Sequence, residues 1–98
     1  MSRVVYCVIA TLPDAPTAAR FIAWLNGGHI RQVIDGGAES GIAVRLDSDG
    51  PPRAMAQYTF TNRAAFDHYV RDAAPALRAA GLKEFPGVRF ERMVGEVV

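Results

Sequence analysis

The chain has 98 residues, half of them hydrophobic, with 11 Lys and Arg against 10 Asp and Glu. A chain of this length buries about two-thirds of its unfolded surface, which suits one domain over residues 1–98. The net charge of +1, dispersed along the chain, argues against nucleic acid and membrane surfaces as partners. A single cysteine, Cys7, excludes an intrachain disulfide and a cysteine-based zinc site. We expect a cytoplasmic protein, because the first residues lack the pattern of a signal peptide.

The first third of the sequence predicts a strand followed by a helix. Residues 3–11 form a β-branched and aromatic run, which is typical of a central strand buried on both faces. Asp14 is the expected N-cap of the helix, with Pro16 in its first turn. Gly27 and Gly28 are predicted to end this helix. Its apolar stripe has helical spacing and consists of Ala18, Phe21, Ile22 and Leu25.

A hairpin is predicted after a short helical stretch. Residues 29–34 allow another helical turn or two, closed by Asp35, Gly36 and Gly37. Residues 42–46 and 55–61 alternate as strands do, and the turn-forming residues between them, 47–52, predict a loose connecting loop.

The last third of the sequence predicts a second helix and a final strand. Thr61 or Asn62 is the expected N-cap, Pro75 predicts a kink or restart, and Gly81 is predicted to end the helix. Residues 88–97, of mixed polarity, predict a strand at an edge or a subunit contact. The helix carries the apolar stripe Phe66, Tyr69, Val70, Ala73 and Leu77.

The order β-α-β-β-α-β predicts an α+β, ferredoxin-like sandwich, with an antiparallel sheet and both helices on one face. The first strand nevertheless places apolar side chains on both of its faces, at residues 6–9. An apolar second face needs cover, so we expect a homodimer stacked sheet to sheet.

Three stretches resemble family 4286 of the domains of unknown function, a set of small proteins grouped with the dimeric α+β barrels. They are FIAWLNGGHIRQV, AQYTFTNRAAFDHYVRDAAPALRAAGLKEFP and ERMVGEV, and together they cover nearly the whole chain. The resemblance implies the dimeric α+β barrel fold. Proteins of that fold include cofactor-free monooxygenases, muconolactone isomerases, haem-binding chlorite dismutases and stress-response proteins, so the resemblance leaves the reaction open.

His29 is the leading candidate for acid/base chemistry. If the helix continued through the glycines, the imidazole would point toward the sheet, and its ordinary pKa of about 6.5 suits proton transfer. The competing interpretation is a structural histidine bonded to a carbonyl at a helix end. His68 is predicted to face solvent, opposite the apolar stripe of its helix. The two histidines do not form a metal-binding motif, so no metal and no cofactor are expected.

Tyr6 and Tyr58 lie in the two strands expected to be central, and either hydroxyl could orient a polar ligand, with Tyr58 as a candidate catalytic partner of His29. Core packing, with the hydroxyl bonded to protein or water, is the more frequent explanation for both tyrosines. Gln57 must point away from Tyr58, so only one of the two can face the space between helices and sheet. The sequence does not decide which one does.

Four further side chains are weighed as site residues. Arg45 interrupts an apolar strand and Arg78 follows a core position, so each could bind a carboxylate, although a solvated face or an ion pair at the dimer contact explains them as well. Trp24 could wall a pocket or anchor the core. Cys7 is expected to be an inert core thiol.

Two functions are compatible with this sequence. One is a cofactor-independent acid/base enzyme of isomerase, cyclase or monooxygenase type, which acts on a small aromatic or carboxylated metabolite. The other is a non-catalytic ligand-binding or accessory protein, and it stays open because no nucleophile and base pair is visible in the sequence.

Overall fold

Four antiparallel strands form a single sheet in the order β2-β3-β1-β4, in a computed structural model that describes residues 2–98. The two central strands are β1 and β3, as predicted, and β4 lies at an edge. The predicted α+β, ferredoxin-like βαββαβ architecture is confirmed. The strands are β1 (Val4–Thr11), β2 (Ser40–Leu46), β3 (Arg53–Phe60) and β4 (Arg89–Glu96).

Each of the two predicted helices is a pair of helices on the same face of the sheet. The caps are those expected, because the Asp14 side chain accepts from the Thr17 N–H at 2.8 Å and the Asn62 side chain accepts from the Ala65 N–H at 2.9 Å. The second predicted helix is interrupted after Asp72, and a new helix begins at Ala74 with Pro75 in its first turn, as predicted. No helix within residues 2–98 is both long and apolar enough to cross a membrane. The helices are α1 (Ala15–Trp24), α2 (Ile30–Asp35), α3 (Arg63–Asp72) and α4 (Ala74–Glu84).

The glycine pair breaks the first helix, as predicted, whereas the predicted helix end at Gly81 is wrong. Helices α1 and α2 are joined by a π-helical segment, Leu25–His29, and the Ile30 N–H donates to the Leu25 carbonyl. Gly28 has a φ of 154°, which a residue with a side chain rarely adopts, so the helical chain is kinked at this glycine. The short helix predicted over residues 29–34 follows at once and ends at Gly36, also as predicted. Gly81 lies buried within α4, three residues before the end of the helix, and faces Trp24.

The core lies between the helices and one face of the sheet. Alternate residues of β3 are buried there, and Phe60 is fully buried at its end. The opposite face, here called the open face, has no helix over it. Its apolar side chains include Ile42 and Met93, each 54% exposed. The register places on this face Val5, Cys7 and Ile9 of β1, Ile42, Val44 and Leu46 of β2, Met55 and Gln57 of β3, and Met93 of β4.

Candidate functional site

A cavity opens between the helices and the sheet at the end where the π-helical segment meets α4. It encloses about 480 Å³ when its open mouth is included, of which about 40 Å³ admits the centre of a water molecule. Its walls are aromatic and aliphatic with a few polar groups, as in small-molecule sites. The lining residues are Tyr6, Val8, Phe21, Trp24, Leu25, His29, Ala56, Tyr58, Tyr69, Leu77, Arg78, Gly81, Phe90 and Arg92.

His29 is held over the cavity by the π-helical segment. Its ring stacks on Trp24, with ring centroids 4.1 Å apart and an interplanar angle of 20°. Residues five apart lie about 140° around the axis of a regular α-helix, so the break at Gly28, between the two residues, is what brings these rings together. The Nδ1 atom is buried and has no hydrogen-bond partner among residues 2–98, so the carbonyl bond expected of a structural histidine is absent at this atom.

Burial lowers the pKa of His29 below its ordinary value, because the charged ring is poorly solvated. Below about pH 6.5 the unfolded chain therefore binds a proton that the folded chain does not. We expect the free energy of unfolding to fall between pH 7.5 and 5.5, with a slope of at most about 1.4 kcal/mol per pH unit. Urea unfolding monitored at both pH values measures this loss.

Two variants show which histidine causes this pH dependence of stability. His29→Gln should remove the loss, whereas His68→Gln should retain it, because His68 is exposed on α3. If His29→Gln loses stability on acidification as the unsubstituted protein does, another group is responsible.

Three tyrosines form the polar floor of the cavity. Tyr6 and Tyr58 are directly opposite in register, so both face the helices, and their ring centroids are 6.0 Å apart. Tyr69 of α3 completes the cluster, 6.1 Å from Tyr6. The Tyr58 ring lies against Gly41 of the neighbouring strand, where a side chain would clash with it. Tyr58, and not Gln57, therefore faces the cavity, which the sequence alone did not decide.

Burial keeps two of these phenols neutral. It raises the pKa of Tyr69 to about 12, with a smaller contribution from Tyr6. Burial also raises the pKa of Tyr58, again with contributions from its tyrosine neighbours. Both groups therefore stay protonated near neutral pH and are available as hydrogen-bond donors.

Two arginines flank the cavity mouth. Arg78 of α4 donates from Nη2 to the Tyr6 hydroxyl at 3.4 Å. Arg92 of β4 lines the other side, and both cations act to lower the pKa of Tyr69 against the larger effect of burial. Among residues 2–98 no acidic side chain lines this cavity, so its charged groups are cationic.

Several predicted site residues lie away from the cavity. Arg45 is exposed on β2 and does not line it, and Gln57 is on the open face, where its Oε1 is 4.0 Å from Cys7 Sγ. Cys7 is only half-buried, and burial raises the pKa of its thiol. His68 is exposed, as predicted, and its Nδ1 is 2.9 Å from Asp72.

Sequence reasoning missed Arg92, Phe90 and the polar role of Tyr69. Tyr69 was predicted only as part of an apolar stripe, yet a tyrosine in an otherwise apolar stripe is the signal of a hydroxyl brought into the core. Arg92 gave no signal, because its face depends on the pairing of β4 with β1, which places Arg92 opposite Val8. Within residues 2–98 no cluster of three His, Cys, Asp or Glu residues is placed to bind a metal ion.

Solved structures share this fold at low sequence identity. A dimeric ferredoxin-like protein from an uncultured marine organism is 17% identical with a TM-score of 0.75, over 100% of this chain and 97% of that chain. An ethyl tert-butyl ether d (ethd) family protein from Bacillus halodurans is 16% identical with a TM-score of 0.75, over 100% of both chains. SnoaB, a cofactor-independent oxygenase from Streptomyces nogalater, is 13% identical with a TM-score of 0.70, over 100% of this chain and 95% of that chain.

These likenesses establish the ferredoxin-like fold and do not by themselves transfer a reaction. No curated protein matches the sequence. A family described as a domain of unknown function (DUF4286) matches residues 3–95. The chain belongs to this family, and the resemblance found in the sequence is confirmed.

Proposed function

We propose that this DUF4286 protein binds a small aromatic or carboxylated metabolite in the cavity and performs acid/base chemistry on it without a cofactor. The observation that carries the proposal is the buried, unpartnered Nδ1 of His29 in the wall of a cavity lined by tyrosines and arginines. Buried polar atoms are nearly always hydrogen-bonded, and those that are not often mark catalytic or ligand-binding positions.

The electrostatics of the cavity suit the movement of a proton. The lowered pKa of His29 keeps its imidazole neutral near pH 7, so that it can accept a proton from a bound substrate. The negative charge left on the substrate would then be stabilised by the protonated hydroxyls of Tyr58 and Tyr69. Isomerisation and cyclisation require only such groups in a cavity with little water.

The proposed active form is a homodimer stacked through the open face. That face carries Ile42 and Met93, both more than half exposed in the single chain, beside the partly buried apolar side chains of β1 and β3. Large exposed apolar patches commonly mark protein interfaces. A structural neighbour of this fold is described as dimeric. We place this dimer in the cytoplasm, in keeping with the sequence.

A second candidate, a non-catalytic ligand-binding protein, is favoured by one observation. No carboxylate lines the cavity, and catalytic histidines are usually oriented by a hydrogen bond to such a group. A site with no orienting partner for His29 can hold a ligand without turning it over.

Mass spectrometry of the purified protein separates these alternatives. We expect native spectra to show a dimer with bound mass, denaturation to release a small molecule, and His29→Gln to dimerise but to lose that molecule or its conversion. If incubation with the protein converts the released molecule to a product, the protein is an enzyme. If the molecule stays unchanged, the protein is a binding protein. An empty dimer that is indifferent to His29→Gln contradicts the proposed role of His29.

A further inference from the structure

We propose that Arg78 and Arg92 together bind a carboxylate at the cavity mouth, so that the site selects a single-ring aromatic acid over its neutral analogue. This inference deepens the proposed function and rests on it, because it names the chemical class of the ligand. It assigns the specificity to side chains that are separate from the proton-transferring His29.

Both arginines line the same cavity, one from the helix layer and one from the sheet. Arg78 reaches the Tyr6 hydroxyl from α4, and Arg92 extends from β4 on the helix-facing side of the sheet, opposite Val8. Both line the cavity, and both act on Tyr69 electrostatically. The two cations therefore converge on the tyrosine cluster from opposite walls.

Neither cation is neutralised by the protein. Five other arginines form ion pairs with carboxylates, but within residues 2–98 neither Arg78 nor Arg92 has a carboxylate oxygen within 4.0 Å. Two unpaired guanidiniums beside a cavity without acidic residues produce a local positive potential that favours an anion. The paired arginines are Arg3, Arg31, Arg53, Arg63 and Arg71.

The shape of the site orients the anion. Arginine binds carboxylates through planar, bidentate hydrogen bonds, and both arginine residues are exposed at the rim, so the charged end of a ligand belongs at the mouth. The interior beyond them is apolar and aromatic, with Trp24, Leu77 and Phe90 available to contact a ring. Only about 40 Å³ admits the centre of a water molecule in this structure, so a ring would enter by displacing the exposed arginine side chains at the mouth.

Trp24 is the only tryptophan in the chain and lines the cavity, so its fluorescence reports directly on occupation. Titration with benzoate and with benzamide at equal ionic strength compares an anion with a neutral molecule of nearly the same shape. We expect benzoate to bind at least about tenfold more tightly, as hydrogen bonds between charged groups allow.

Arg92→Gln should weaken benzoate binding by about 10- to 100-fold and leave benzamide binding unchanged. Arg20→Gln is the matched control, because Arg20 is an exposed arginine of α1 that lies neither in the cavity wall nor on the open face. Circular dichroism confirms that each variant is folded before it is titrated.

The possible outcomes separate this inference from the proposed function. Equal binding of benzoate and benzamide overturns the arginine site while leaving the cavity as a binding pocket. Equal weakening by Arg92→Gln and Arg20→Gln also overturns it, because only the overall charge would then matter. If neither compound binds, the inference fails, and the proposed aromatic pocket fails with it.

Discussion

Replacing Phe60 with alanine is expected to destabilise the fold by about 3–5 kcal/mol, the usual cost of truncating a fully buried phenylalanine. Phe60 is completely buried at the end of β3, and its ring packs on Phe66 and Tyr69 with centroids 5.2 Å from each. The substitution leaves a cavity between the sheet and α3, which neighbouring rings fill only partly. The melting temperature should fall by at least about 12 °C.

Calorimetry at a fixed protein concentration measures this loss, because the proposed dimerisation would make the melting temperature depend on concentration. Phe60→Leu keeps most of the apolar volume and should cost less than half as much as Phe60→Ala. Equal losses for the two variants would mean that packing at this position does not limit stability.

Replacing Ile42 with aspartate is expected to raise the dimer dissociation constant by more than about 100-fold. Ile42 belongs to a row across the open face, next to Gln57, Cys7 and Met93 in the register of the sheet. In the single chain its side chain is 54% exposed, so a carboxylate there remains solvated and costs the monomer little. Against a second sheet the same carboxylate would be buried without a partner, which costs several kcal/mol.

Sedimentation at micromolar concentration distinguishes the two forms, with the unsubstituted chain expected as a dimer and Ile42→Asp as a monomer. Leu82→Asp is the matched control, because Leu82 is 56% exposed on α4, on the other side of the molecule. A dimer of Ile42→Asp as stable as that of Leu82→Asp would exclude the open face as the interface.

The strands and helix starts could be predicted from the sequence because their signals are local. Asp14 and Asn62 cap the helices through bonds to residues only three positions away, and residues 47–52 are dense in turn formers. The glycines were harder to interpret. Gly28 breaks the first helix as predicted, whereas Gly81 was predicted as a helix end and lies within α4, facing Trp24, a position that depends on tertiary packing.

The site could be predicted only in part, because it depends on how the elements pair. His29, Trp24 and Arg78 were identified as candidates, and all three line the cavity. The side of the sheet on which Tyr6 lies could not be predicted, because β1 carries apolar residues on both faces and its sequence does not show which face is buried against the helices. Arg45 and Arg92 lie on opposite edge strands, and only the strand order shows which of these two arginines reaches the cavity.

The break at Gly28 also determines which face of the second short helix reaches the core. Along the first helical pair the buried positions are Ala18, Phe21, Leu25, Ile30 and Val33. Their spacing is 3, 4, 5 and 3 residues, and the step of five spans Gly28, whose backbone is not helical. The number of residues between Leu25 and Ile30 therefore fixes the rotation of α2 about its axis. An insertion or deletion at the glycine pair would turn Ile30 and Val33 away from the core, whereas the same change in the exposed loop at residues 47–50 would not.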